Sequence, residues 1–248
     1  MPRQQTESEA QTLHARVLTQ LRADILDCQL LPNERLRLEA LRERYQVGWS
    51  PIREALMRLE AEGLVQLEQN KGFRVASVSR DSLLDLMRSR IELESIALRW
   101  SLANGGVEWE ANLVAAFHRL SRHSKLRRAQ SGVISPEWSG EHRAFHSALV
   151  AACDSPTMLS IRESLFEKAE RYVALSIMSK SSPRNDVAEH EQIMQAALAR
   201  NVNRALTLNR EHIERTLNKV AKSLENHSEF SKPAAITPSR YLRMALAG

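Results

Sequence analysis

Residues 47–59, VGWSPIREALMRL, carry the clearest structural signal in this chain of 248 residues. A short turn leads to Ser50-Pro51, and a serine cap followed by proline at the first helical position is a common start of a helix. Apolar residues then recur at steps of three and four, which predicts a helix over residues 51–62 that ends at Gly63. The buried face of this helix is predicted to hold Ile52, Ala55, Leu56 and Leu59.

Two more helices are predicted before this one. Residues 11–27 place apolar side chains at steps of four, from Leu13 to Ile25, which indicates one buried helical face. Leu-Pro-Asn at residues 31–33 breaks that helix, and residues 35–45 form the next one. Residues 1–10 are polar, and we expect them to be disordered.

The sequence after the third helix changes its period from helical to alternating. Residues 62–75, EGLVQLEQNKGFRV, contain two short alternating runs around a Gln-Asn-Lys-Gly tip, which predicts a β-hairpin. Three helices followed by a hairpin form the layout of a winged helix-turn-helix. The sequence therefore predicts such a domain over residues 11–78.

Residues 79–226 read as helical almost throughout and predict an antiparallel α-helical bundle, so the fold class is mainly α. Residues 227–248 contain Pro233 and Pro238 and are expected to form a flexible tail. Two cysteines 125 positions apart predict reduced thiols rather than a disulfide. Neither a membrane span nor a signal peptide is visible, so we expect a cytoplasmic protein.

Net charge alone is a weak argument for nucleic-acid binding in this chain. The whole sequence carries +5, yet residues 1–78 contain 11 Lys+Arg against 11 Asp+Glu and are neutral. The excess lies in residues 79–248, where 35 − 11 = 24 basic residues face 30 − 11 = 19 acidic ones. DNA binding therefore depends on where individual basic side chains point.

Residues 47–59 and 62–75 together resemble the helix-turn-helix and wing of the GntR family of regulators. The Ser-Pro-x-Arg-Glu-Ala-Leu string, the Glu-Gly-Leu-Val string and the Asn-x-Gly tip occur in order at matching separations. The resemblance implies double-stranded DNA as partner. It also favours a homodimer on a short inverted-repeat operator, since operator symmetry mirrors protein symmetry.

Five residues are candidates for DNA contact. Ser50 and Arg53 lie in the first turn of the recognition helix, and Arg53 is the candidate for a bidentate guanine contact. Its alternative is a solvated surface arginine paired with a neighbouring glutamate. Lys71 and Gly72 would approach the minor groove at the wing tip. Trp49 replaces the family's usual arginine, and it either touches sugar or a thymine methyl or packs against Tyr45.

Residues 80–226 resemble the FCD ligand domain of the FadR branch of that family. The matching strings are Arg90 to Glu94, then His142 to His146, Glu189-His190 and His212. The resemblance implies a divalent transition metal held by His146, His190 and His212. The family has Asp where this chain has His142, so that residue is an uncertain fourth ligand. An all-imidazole site favours Zn²⁺ or Ni²⁺, or it binds metal poorly.

Arg90 and Glu94 continue an apolar stripe on the helix over residues 80–103. A buried charge needs a partner, so one interpretation is an internal ion pair. The other is that Arg90 binds the carboxylate of an effector as a fork, between the metal and the helix. The effector would be a small mono- or dicarboxylate. The stretch AFHSALVAACDSP, residues 144–156, also resembles the carbon-starvation repressors that respond to a short dicarboxylate such as glutarate.

These features predict a DNA-binding transcriptional regulator, most simply a repressor released by its effector. A metal-dependent enzyme on a histidine-lined bundle is the alternative, although no nucleophile–base or acid–base carboxylate pair is recognisable. An architectural DNA-binding protein without a ligand is a third class. Buried Arg90 and the histidine set argue against it, because such groups are costly to bury without a purpose.

Overall fold

The computed structural model describes residues 3–126, 134–178 and 186–225. The predicted tail at residues 227–248 lies outside those ranges. The N-terminal part contains three helices and three short strands. These are α1 (Arg3–Leu26), β1 (Arg35–Leu36), α2 (Leu38–Tyr45), α3 (Trp49–Ala61), β2 (Val65–Glu68) and β3 (Gly72–Val75).

This part is a winged helix-turn-helix, as the sequence predicted. Strands β2 and β3 pair antiparallel from Val65 opposite Val75 to Glu68 opposite Gly72. The apolar faces of the three helices meet in one core beneath this hairpin. The core includes the predicted residues Val17, Leu21, Ile25, Leu41, Tyr45, Ile52, Ala55, Leu56 and Leu59.

The element boundaries differ from the sequence predictions at three places. Residues 35–36 were predicted to begin a helix, but they form β1 and pair with β3. This strand depends on a partner about forty residues away, so local periodicity could not show it. Helix α3 begins at Trp49 after a Gly48 cap, so Ser50 lies inside its first turn. Helix α1 begins at Arg3, where disorder was expected, because residues 3–10 contain no Gly or Pro to stop it.

The remaining described residues form a helical bundle. Its elements are α4 (Arg80–Asn104), α5 (Val107–Ser121), α6 (Pro136–Val150), a short 3₁₀ turn (Ala151–Cys153), α7 (Pro156–Met178), α8 (Asp186–Leu198) and α9 (Val202–Glu225). Helix α4 starts where Ser79 caps it through a bond from the amide of Ser82, and it packs against α6, α7 and α9. The observed fold is mainly helical, which confirms the predicted class.

The two parts meet through a small apolar cluster and one buried arginine. Arg171 of α7 is 4% exposed and donates a hydrogen bond to the carbonyl of Ala76, just after the wing. The Cys28 thiol lies 3.7 Å from the Arg171 carbonyl, and burial raises the pKa of that thiol to about 11. Helix α7 of the bundle therefore contacts the winged helix-turn-helix directly. The apolar cluster includes Val78, Leu83, Met87, Ile91 and Tyr172.

Within the described ranges, none of the helices combines the length and apolar character needed to cross a membrane.

We expect Leu56→Ala to lower the free energy of unfolding by about 2–5 kcal/mol, because Leu56 is fully buried and its loss leaves a cavity. Met57 is the next residue of the same helix but is 64% exposed. Met57→Ala should therefore change stability by less than about 0.5 kcal/mol. Urea unfolding of both variants measures the difference, and equal losses would contradict this packing of α3.

Candidate functional site

Four histidines from three helices meet inside the bundle. His142 and His146 lie one turn apart on α6, while His190 comes from α8 and His212 from α9. One ring nitrogen of each lies within 4.8 Å of those of the other three. The Nε2 atom of His146 is 3.2 Å from Nε2 of both His142 and His190. The four residues predicted from sequence are therefore together in space.

In two of these rings, the nitrogen that faces away from the cluster lies against an oxygen atom. His190 Nδ1 lies 2.5 Å from the carbonyl of Asp186, and His212 Nδ1 lies 3.0 Å from Oε2 of Glu189. A carbonyl can only accept a hydrogen bond, and an ionised carboxylate does the same, so Nδ1 carries the proton in both rings. The lone pairs of Nε2 are then directed to the centre of the cluster, which is the arrangement of metal-binding histidines.

Burial keeps three of these imidazoles neutral. It lowers the pKa of His142, His146 and His190 well below the usual value, and the neighbouring histidines lower it further. Neutral imidazole is the form that binds a metal ion. Three neutral rings, together with the adjacent nitrogen of His212, therefore suit a divalent transition metal, so the donor set fits the group that the sequence predicted.

Polar and aromatic contacts around the four histidines support the cluster. The indole of Trp138 stacks on His142 with ring centroids 4.5 Å apart. The ammonium group of Lys125 lies 4.6 Å from the centre of the Trp138 ring and pairs with the carboxylate of Asp186. The helices that carry His142 and His190 are thus joined outside the cluster as well as at its centre.

A group of buried charges lies beside the histidines. Glu94 of α4 is 1% exposed and receives a bond from Nε of Arg162 on α7, at 3.1 Å. Arg90 Nε lies 3.6 Å from the same carboxylate oxygen, beyond hydrogen-bonding distance. Two buried guanidiniums therefore share one buried carboxylate. Arg162 also contacts Ser147 and the half-buried Glu163.

The ring of Phe166 connects the charges to the histidines. The guanidinium carbon of Arg90 lies 4.5 Å from its centroid and that of Arg162 lies 5.2 Å away. The centroids of His142 and His146 are 5.8 and 5.6 Å from the same ring. Both arginines are therefore one aromatic side chain away from the histidine cluster.

Three buried polar atoms in this charge group have no hydrogen-bond partner among the described residues: Arg90 Nε, Glu94 Oε2 and Arg162 Nη2. Leaving a buried donor or acceptor unpaired costs about 1–3 kcal/mol, and more when the group is charged. The ion pair between Arg90 and Glu94 exists, as one interpretation of the sequence predicted, but it leaves donors unused. Buried guanidiniums with spare donors are suited to an anion.

Sequence reasoning missed Arg162, although a signal for it was present. Arg162, Phe166 and Ala169 recur at steps of four and three, and each is at most 2% exposed. The same interruption of an apolar stripe by arginine identified Arg90. The missing information was that α7 lies against α4, which only the folded chain shows.

The five residues predicted to contact DNA are exposed on one domain. Trp49, Ser50 and Arg53 lie in the first turns of α3, and Lys71 and Gly72 lie at the wing tip. Gly72 has a φ of 82°, a conformation that favours glycine. No described residue pairs with Arg53, which disfavours the surface ion pair considered for it.

Trp49 has a neighbour that the sequence did not predict. Its ring lies under the guanidinium of Arg42, at 4.6 Å, instead of packing on Tyr45. The guanidinium of Arg44 lies over the Tyr45 ring, and the Tyr45 hydroxyl donates a hydrogen bond to the Asp24 carboxylate. Ser50 contacts Glu54 at 3.3 Å.

Family models match both parts of the chain. Residues 13–75 match the model of bacterial regulatory proteins of the gntR family, and residues 85–215 match that of the FCD domain. The second match covers more than half of the chain. Both agree with the families that the sequence motifs resemble.

Two relatives cover most of this chain. It is 39% identical to an uncharacterised HTH-type transcriptional regulator, BphR of Paraburkholderia xenovorans, over 81% of this chain and 82% of the relative. It is 38% identical to the HTH-type transcriptional repressor GlaR of Escherichia coli, over 78% and 89% respectively.

A solved structure shares the fold at lower sequence identity. The structure of McbR/YncC from E. coli superposes with a TM-score of 0.71 at 20% identity, covering 86% of this chain and 98% of that one. The chain therefore belongs to the GntR family, with a winged helix-turn-helix followed by an FCD domain, and it is a DNA-binding transcriptional regulator with a ligand-binding domain rather than an enzyme.

Proposed function

We propose that this regulator is a homodimeric repressor that leaves a short inverted-repeat operator when a small carboxylate binds in the FCD domain. The observation that carries the proposal is the pair of buried guanidiniums with unused donors beside a four-histidine cluster. The repressor name of its E. coli relative supports the direction of control. The domain division is proposed at residues 11–78 and 79–226.

The proposed metal is Zn²⁺ or Ni²⁺, held by His146, His190 and His212 with His142 as the fourth ligand. The neutral state of three rings and the oxygen atoms on His190 and His212 support this assignment. When bound, the metal would supply a Lewis-acidic positive charge beside the charge group. The four imidazoles would bind and orient it, while the rings of Phe145 and Phe166 pack against His190 and His146.

The effector is proposed to be a small mono- or dicarboxylate bound by Arg90. Arg162 would supply a second donor, and Glu94 would fix the Arg162 guanidinium by accepting a hydrogen bond from its Nε. A carboxylate oxygen would satisfy Arg90 Nε or Arg162 Nη2, which are buried without partners among the described residues. Charge-assisted bonds at low dielectric are stronger than those at the surface, so this location favours an anion.

Two helices are proposed to connect this charge group to the DNA-binding domain. Helix α4 carries Arg90 and follows directly on the wing. Helix α7 carries Arg162 in the charge group and, about 13 Å further along, Arg171 at the junction. A ligand shifts such an arrangement only through different affinities for its two states. Couplings of this kind amount to about 1–3 kcal/mol.

Zn²⁺ or Ni²⁺ should raise the melting temperature of the purified protein, because a ligand at 100 times its Kd stabilises the native state by about 2.7 kcal/mol. His190→Ala and His212→Ala should lose this rise and the metal found by elemental analysis. His118→Ala, an exposed histidine of α5, is the matched control and should keep both. A full response in His190→Ala would show that the histidines are core residues only.

Arg90→Ala should keep operator binding but lose the response to small carboxylates, because the fork for the effector is removed. Thermal shift against a panel of mono- and dicarboxylates identifies the effector, and operator release is then measured by fluorescence anisotropy. Arg99→Ala removes an exposed arginine from the same helix and should respond normally. Arg90→Lys keeps the buried charge and is the second variant to be measured, so the test does not depend on the folding of Arg90→Ala. A wild-type response in both Arg90 variants would refute the proposed effector site.

Arg53→Ala should weaken operator binding by about 1–3 kcal/mol and relax specificity at one base pair in each half-site. The measurement is a gel-shift titration at fixed salt against the operator and its single-base variants. Arg119→Ala removes the same charge from the helical domain, where Arg119 pairs with Glu141, and should bind normally. Unchanged binding by Arg53→Ala would show that Arg53 does not contact the operator and would refute the assignment of α3 as the recognition helix.

A further inference from the structure

We infer that Trp49 positions the guanidinium of Arg42 on a backbone phosphate of the operator. Arg42 is then a DNA-contacting residue on α2, outside the five predicted from the sequence, and Trp49 acts through it. This inference rests on the proposed approach of DNA to the start of α3.

The first argument is the geometry of the pair. The guanidinium carbon of Arg42 lies 4.6 Å from the centre of the Trp49 ring, within the range of a cation–π contact. Arg42 lies in α2 and Trp49 is the first residue of α3, so the contact bridges the two helices of the helix-turn-helix. An arginine on a flexible chain is thereby held in one place.

The second argument is that Trp49 does not serve the core. Trp49 is 41% exposed, and it is not part of the apolar core of this domain. Ile52, three residues further along α3, is fully buried in that core. The contact that the structure gives this exposed ring is therefore with Arg42 rather than with the core.

The third argument is that the Arg42 guanidinium has unused donors. Among the residues that the structure describes, none accepts a hydrogen bond from it. Arg44, two residues away on α2, differs because it pairs with Asp24 at 2.7 Å. Stacking on an aromatic face leaves the in-plane N–H groups of a guanidinium available for a fork on an anion.

The position identifies the anion. The pair lies at the N-terminus of α3, whose Gly48 cap provides no side-chain hydrogen bond. The orphan amides and the dipole of a helix start favour phosphate. Ser50 and Arg53 are exposed in the first turns of the same helix. In a helix-turn-helix, this end of the recognition helix approaches the duplex, so the available anion is the DNA backbone.

The test is a double-mutant cycle on DNA binding. An operator is selected from random DNA with the wild-type protein, and fluorescence anisotropy measures its binding over a range of salt. Arg42→Ala should weaken binding to operator and unrelated DNA by the same factor, roughly tenfold. It should also reduce the slope of log affinity against log salt by about 1 per DNA-binding head.

Trp49→Ala should lose affinity and salt slope in the same way, and the double variant should lose little more than either single one. Trp49→Phe keeps an aromatic face and should retain most of the binding. Arg44→Ala is the matched control, and its effect should be independent of residue 49. Melting temperatures of all variants separate these effects from unfolding.

Three results would overturn the inference. The first is an unchanged salt slope in Arg42→Ala. The second is additivity of the Arg42 and Trp49 substitutions, which would show that they act separately. The third is a loss confined to particular base pairs in Trp49→Ala, which would make Trp49 a direct base contact. Binding that survives Arg53→Ala but falls with Arg42→Ala would refute the proposed base contact while leaving the Arg42–Trp49 pair intact.

Discussion

The shared carboxylate of Glu94 is the constraint on which the interior of the FCD domain depends. Two guanidiniums, from α4 and α7, face one carboxylate in a region closed to water, together with Phe166. A buried charge without a partner is far more costly than a buried pair. Glu94 therefore fixes the relative positions of the two helices.

The same helix that completes this charge group reaches the DNA-binding domain. Arg162 pairs with Glu94 in the charge group, and Arg171 donates to the carbonyl of Ala76 at the end of the wing. The charge group and the wing are thus connected by one packed helix rather than by a free linker. The coupling between ligand and operator that we propose would run along this connection.

The distribution of charge explains why composition says little about DNA binding here. Residues 1–78 are neutral as a whole. Several arginines of this domain nevertheless form internal ion pairs, such as Arg22 with Glu62 and Arg44 with Asp24. Arg42 and Arg53 have no such partner among the described residues, and both lie near the start of α3. Their placement is a local property, which net charge does not report.

The sequence by itself determined the fold class, the winged helix-turn-helix and the four histidines, because helical periodicity and short motifs are local properties. The same periodicity identified Arg90 and Glu94 as buried. It did not determine β1, whose partner strand β3 is distant in the chain. It also did not show Arg162 beside Glu94 or Arg42 over Trp49. Those contacts join different helices, so only the tertiary packing of the helices decided them.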